Sequence, residues 1–66
     1  MRACINGKQY DLPDGLTVAE LLDRFETPRT GVAVAKNDRV VRGSALAQEP
    51  VEDGDRIEII KAVAGG

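Results

Sequence analysis

Apolar and polar positions alternate through the first dozen residues. Ala3 and Ile5 share one parity and Arg2 and Cys4 the other, which predicts a strand over Arg2–Asn6. Asn6-Gly7 follows, a pair suited to a two-residue hairpin turn because both positions of a type I′ turn need φ > 0. Lys8 to Leu12 then returns as a second strand, with Tyr10 and Leu12 on one face. After the turn Pro13-Asp14-Gly15 the period changes. Val18, Leu21, Leu22 and Phe25 fall at i, i+3, i+4 and i+7, one stripe of a helix.

The start of this helix is written in full. Thr17 is placed as the N-cap and Glu20 as its capping-box partner, with Leu16 and Leu21 spaced for a hydrophobic staple. Glu20 and Arg24 stand four apart in the favourable order. Pro28 restricts the residue before it, so the helix is expected to end near Glu26 or Thr27. A helix this short does not hold by itself in water, so its stripe has to lie on a sheet.

Gly31 to Lys36 reads as a third strand, Asn37-Asp38 as a turn, and Arg39 to Arg42 as a short fourth strand with the charged ends of a sheet edge. Gly43 to Gln48 has room for one helical or 3₁₀ turn before Pro50. Glu52-Asp53-Gly54-Asp55 is a tight turn into a last strand, Arg56 to about Ala62. The order is hairpin, helix, hairpin, strand. It predicts an α+β ubiquitin-like β-grasp: a mixed four- to five-stranded sheet with one main helix on one face, strands one and five parallel at the centre.

Composition narrows the function classes. The chain has 66 residues, enough for one domain, residues 1–66, with a flexible tail expected over 62–66. One cysteine allows no internal disulfide and points to a reducing compartment. There is no histidine, the commonest general base and metal ligand, so no metal site is expected. No apolar run approaches the roughly 20 residues of a membrane span, and the start is too polar for a secretory signal. A cytoplasmic protein without a membrane partner is expected. Nine basic and eleven acidic residues are interspersed, with one Tyr, one Phe and no Trp, so no cationic stripe with stacking aromatics favours nucleic acid. A mildly acidic surface suits a basic protein partner.

The chain closes on Ala62-Val63-Ala64-Gly65-Gly66. Glycines are common at frayed ends. Directly after a β-forming segment, however, they also make a narrow tip whose one functional group is the α-carboxylate of Gly66. Glycine lacks Cβ and threads where other residues clash.

The helix start TVAELL, the central GVAVAKNDRVV and the closing EDGDRIEIIKAVAGG together resemble the small sulfur carriers of thiamine biosynthesis, the ThiS family. The resemblance spans essentially the whole chain. It implies a protein co-substrate, with no catalytic residue and no bound cofactor of its own. A ubiquitin-activating-type adenylyltransferase would use ATP and Mg²⁺ to adenylate the terminal carboxylate. Sulfur from a sulfurtransferase or cysteine desulfurase would convert it to a thiocarboxylate, which donates sulfur to thiazole synthase. On this chain the resemblance makes Gly66 the modified residue and Val63, Ala64 and Gly65 the partner-binding tail.

An uncovered apolar sheet face would be the docking surface, with Ile60, Val63, and Cys4 or Val41 as candidates. Other readings stay open. These are a related carrier of molybdopterin synthesis, a ubiquitin-like module that is never modified, a modifier that conjugates to lysines, and a persulfide relay on Cys4. Cysteine in a strand is otherwise a small buried hydrophobe.

Overall fold

The computed structural model describes residues 1–61; the expected tail over 62–66 lies outside them. The elements are β1 (Arg2–Ile5), β2 (Lys8–Asp11), α1 (Val18–Arg24), β3 (Val32–Lys36), β4 (Arg39–Val41), a 3₁₀ turn (Gly43–Ala45) and β5 (Arg56–Lys61). One sheet runs in the order β2-β1-β5-β3-β4. β1 and β5 are parallel and every other neighbouring pair is antiparallel, so the sheet is mixed and five-stranded.

Two tight turns set the registers. Asn6 and Gly7 both have positive φ, 50° and 84°, and the hairpin closes with Ile5 opposite Lys8. Asn37 and Asp38 do the same at 51° and 69°, which puts Lys36 opposite Arg39. A two-residue loop of this kind leaves the strands no freedom to slip.

Helix α1 begins as its sequence dictates. The Thr17 Oγ1 accepts the Glu20 N–H at 3.2 Å, and the Glu20 Oε1 accepts the Thr17 N–H at 2.9 Å. That grip turns Glu20 back to the cap, and no ion pair between Glu20 and Arg24 occurs among the described residues. The helix ends earlier than Pro28 suggests, at Arg24 with Phe25 as C-cap. The cause is local. Glu26 turns left-handed at φ 53°, and its N–H donates to the Asp23 carbonyl at 3.1 Å while the Thr27 N–H donates to that of Leu22 at 2.9 Å. These two bonds form a Schellman motif, which takes up the carbonyls of the last turn.

Ile5, Val18, Leu21, Leu22 and Ile57 are the largest fully buried side chains. Each contributes about 1.5–3 kcal/mol by leaving water. They place the core between α1 and the central strands, with Ala3, Val34, Leu46 and Val51 filling it. Tyr10 and Phe25 close one end edge-to-face, ring centroids 4.9 Å apart. The irregular segment after the 3₁₀ turn is tied to the helix start, with Val18 N–H to Glu49 O at 2.8 Å and Val51 N–H to Leu16 O at 2.8 Å.

Candidate functional site

Alternation along the strands divides the sheet into two faces. Ala3, Ile5, Val34 and Ile57 point toward α1 and are buried. Among the described residues no helix covers the other face. That face holds Arg2 and Cys4 from β1, Arg56, Glu58 and Ile60 from β5, Ala33 and Ala35 from β3, and Val40 from β4. Ile60 is 62% exposed and Val40 80%, the two large apolar side chains among the described residues that stand out in solvent.

Register brings them together. Ile60 lies opposite Ala33, and Val40 lies opposite Ala35, on the three adjacent strands β5, β3 and β4. The two alanines leave space between the larger side chains, so the result is a shallow apolar strip. Ile60 is one residue before the last described position, so the strip reaches the end of the described part of β5.

The candidates taken from the sequence fall out as follows. Ile60 lies on the uncovered face. Val41 does not: it pairs with Val34 and packs, half-buried, against the core. One residue of parity decides this, because the Asn37-Asp38 loop pairs Val34 with Val41 and so sends Val40 to the opposite side. Val40 is the residue that sequence reasoning missed. The signal was present, since a two-residue turn after Lys36 already fixes that pairing. Cys4 is half-buried on the uncovered face, between Gln9 and Arg56 in register. Val63, Ala64, Gly65 and Gly66 lie outside the described residues.

Two asparagines also escaped notice as more than turn formers. Asn37 Oδ1 accepts the Arg56 N–H at 2.9 Å, and Asn37 Nδ2 donates to Asp55 Oδ1 at 3.0 Å. Asn6 Oδ1 accepts the Ile59 N–H at 2.8 Å. Both clamp the backbone of β5, one at its start and one near its end.

Electrostatics around the site are structural. Lys36 is largely covered and donates to the Pro50 carbonyl at 2.8 Å, with Glu49 Oε2 at 2.8 Å and Asp55 Oδ2 at 3.7 Å. The Glu49 hydrogen bond holds its ammonium pKa above the usual lysine value, against the desolvation that lowers it. On the surface, the Arg56 guanidinium bonds Asp38 and holds that carboxyl below its ordinary pKa. Among the described residues no group of three or more metal-ligating side chains is found. What the described body offers is an apolar strip and a firmly held central strand.

Comparison with known proteins fits that arrangement. The sequence model of the ThiS family matches residues 2–66. The chain belongs to the ThiS family. It is 35% identical over 66 residues to the sulfur carrier protein ThiS of Escherichia coli K12, covering the full length of both. The crystal structure of the ThiS thiamine biosynthesis protein from Geobacter metallireducens superposes with a TM-score of 0.83 at 33% identity, again covering both chains completely. The β-grasp expected from the order of elements is therefore the ThiS fold. The chain is also 36% identical over 66 residues to a thiazole synthase of Paramagnetospirillum magneticum, but spans only 20% of that protein's length.

Proposed function

We propose that this chain is a sulfur carrier whose Gly66 carboxylate is charged and discharged by other enzymes during thiazole formation. The observation that carries the reading is the reach of the family match, which runs to Gly66. The end-to-end likeness to a sulfur carrier protein adds to it.

The chemistry follows from the terminal group. An α-carboxylate ionises at a pKa of about 3.3–3.7 and is a poor electrophile at neutral pH. In the proposed cycle it attacks the α-phosphorus of ATP on an adenylyltransferase, Mg²⁺ assists, and pyrophosphate leaves. The terminal sulfur of a persulfide on a sulfurtransferase or cysteine desulfurase then attacks the acyl carbon and AMP departs. A thiol cleaves the S–S bond of the acyl disulfide so formed, releasing the thiocarboxylate and leaving a disulfide behind. The resulting thiocarboxylate gives its sulfur to thiazole synthase. The likeness of one thiazole synthase to this whole chain over part of its length supports that enzyme as the partner. The carrier supplies access and the enzymes supply the acid and base groups. Val63, Ala64 and Gly65 are the segment that enters them, and Gly66 has no side chain to crowd the attacked carbon.

Affinity comes from the folded body, since ordering a tail costs entropy. Ile60, Val40 and the alanines between them are the contact this reading assigns to the adenylyltransferase. ATP-dependent chemistry and a lone half-buried cysteine both suit the cytoplasm.

The test is intact mass after incubation with the activating enzyme, ATP, Mg²⁺ and a sulfur source. Replacement of one oxygen by one sulfur, lost on deleting Gly66 and kept in Cys4→Ser, is the expected result. Loss of the sulfur in Cys4→Ser would move the chemistry to a persulfide. An unchanged mass would leave an unmodified interaction module, and a ladder of heavier adducts would mean a conjugated modifier. Discharge onto a molybdopterin precursor rather than by thiazole synthase would place the carrier in that pathway.

A further inference from the structure

β1 stops at Ile5, but β5 runs on to Lys61. The main-chain ladder between them ends where the Asn6 N–H donates to the Ile57 carbonyl at 2.9 Å. Beyond that rung the chain turns away at Asn6, φ 50°. The Asn6 side chain takes its place. Its Oδ1 accepts the Ile59 N–H at 2.8 Å, and its Nδ2 donates to the Ile59 carbonyl at 3.3 Å. A carboxamide offers the same acceptor and donor as a peptide group, so it serves as one more rung of a strand that has ended.

On the other side of β5, Ile60 pairs with Ala33 and Lys61 with Val32. Ile59 is therefore held by Asn6 on the side away from β3, just before the exposed Ile60.

We infer that Asn6 is a positioning residue for the loading of the Gly66 carboxylate. It keeps the end of β5 in the sheet, so that Ile60 faces the uncovered side and the five residues after Lys61 start from a fixed point. This rests on the carrier function proposed above. If β5 opened from Ile59, the span ahead of the reacting carbon would grow from five residues to about eight. The effective concentration of a tethered group falls as roughly the −3/2 power of tether length, here about twofold. Ile60 would leave the docking face in the same event.

Asn6→Gly isolates the role, because Gly-Gly still makes the two-residue turn while both side-chain bonds disappear. Val51→Ala serves as a control that loosens the core at the segment bonded to Leu16 and leaves both Asn6 side-chain bonds in place. Two measurements are needed on the full chain: amide hydrogen exchange at Ile59, and kcat/KM for loading by the activating enzyme at a temperature where all proteins are folded.

The expected result is about a tenfold loss of Ile59 protection in Asn6→Gly, the factor one net hydrogen bond commands. A several-fold drop in kcat/KM should accompany it, with kcat/KM unchanged in Val51→Ala. Unchanged Ile59 protection, or equal loading of Asn6→Gly and wild type, would overturn the positioning role alone. Equal losses in both variants would reduce Asn6 to a stability residue and overturn it too. A wild-type chain that is never loaded would remove the carrier function itself.

Discussion

Asn37 and Arg56, nineteen positions apart, are joined by a hydrogen bond of 2.9 Å from the Arg56 N–H to the Asn37 side-chain oxygen. The same amide donates to Asp55, which is only 7% exposed and also accepts the Glu52 N–H at 2.7 Å. One turn residue thus anchors the turn that launches β5.

Asn37→Gly keeps the left-handed backbone and removes both bonds. It leaves a covered carboxylate oxygen short of a donor, so we expect a loss of about 1–2 kcal/mol. Urea unfolding followed by circular dichroism measures it, and an unchanged midpoint would show that Asn37 is needed for its backbone alone.

Glu26→Gly should act in the opposite direction. Glu26 is exposed and left-handed at φ 53°, a conformation that costs an L side chain roughly 1–2 kcal/mol and glycine nothing. Glycine's greater freedom when unfolded takes part of that back. A net gain of about 0.5–1 kcal/mol is expected, read as a higher urea midpoint with the same m-value.

Leu21 is fully buried at the centre of the helix stripe. Leu21→Ala should cost about 2–5 kcal/mol, as core truncations do. In a domain this small, thermal denaturation should register it as a large drop in Tm.

Ile60→Thr keeps a β-branched side chain and removes apolar area that is already in solvent. Stability should stay within about 0.5 kcal/mol, as at other surface sites. KM for loading by the activating enzyme should rise about fivefold or more, the effect of losing a contact worth ~1 kcal/mol. Steady-state kinetics on both proteins would reveal it, and an unchanged KM would place the docking surface elsewhere.

Lys36 predicts an alkaline limb. Glu49 raises its folded pKa above the free value of 10.5. A raised pKa stabilises the fold fully below the unfolded value, and that contribution is lost as pH climbs through the folded one. Stability should therefore fall above about pH 10.5. In Lys36→Met that part of the decline should vanish when urea midpoints are compared from pH 9 upward.

Much of this architecture is legible in the chain itself. Thr17 and Glu20 announce the helix start through local chemistry alone. Asn6-Gly7 fixes a hairpin because few residue pairs tolerate its dihedrals. The shift from period two to period 3.6 separates sheet from helix. Where the reading slipped, a choice between near-equivalent local options was involved. The early end of α1 depends on a glutamate adopting a conformation its type does not favour, and the Schellman bonds that stabilise it form only once the chain has turned.

The sequence by itself determined the order of elements, the apolar stripe of the helix and the two tight turns, since these rest on short-range rules of sterics and periodicity. Only the tertiary structure decided that Ile60 and Val40 share one face across Ala33 and Ala35, and that Asn6 and Asn37 hold opposite ends of β5. Those facts belong to pairings between residues far apart in the chain, where a shift of one position exchanges the two faces of a sheet and no local signal records the partner.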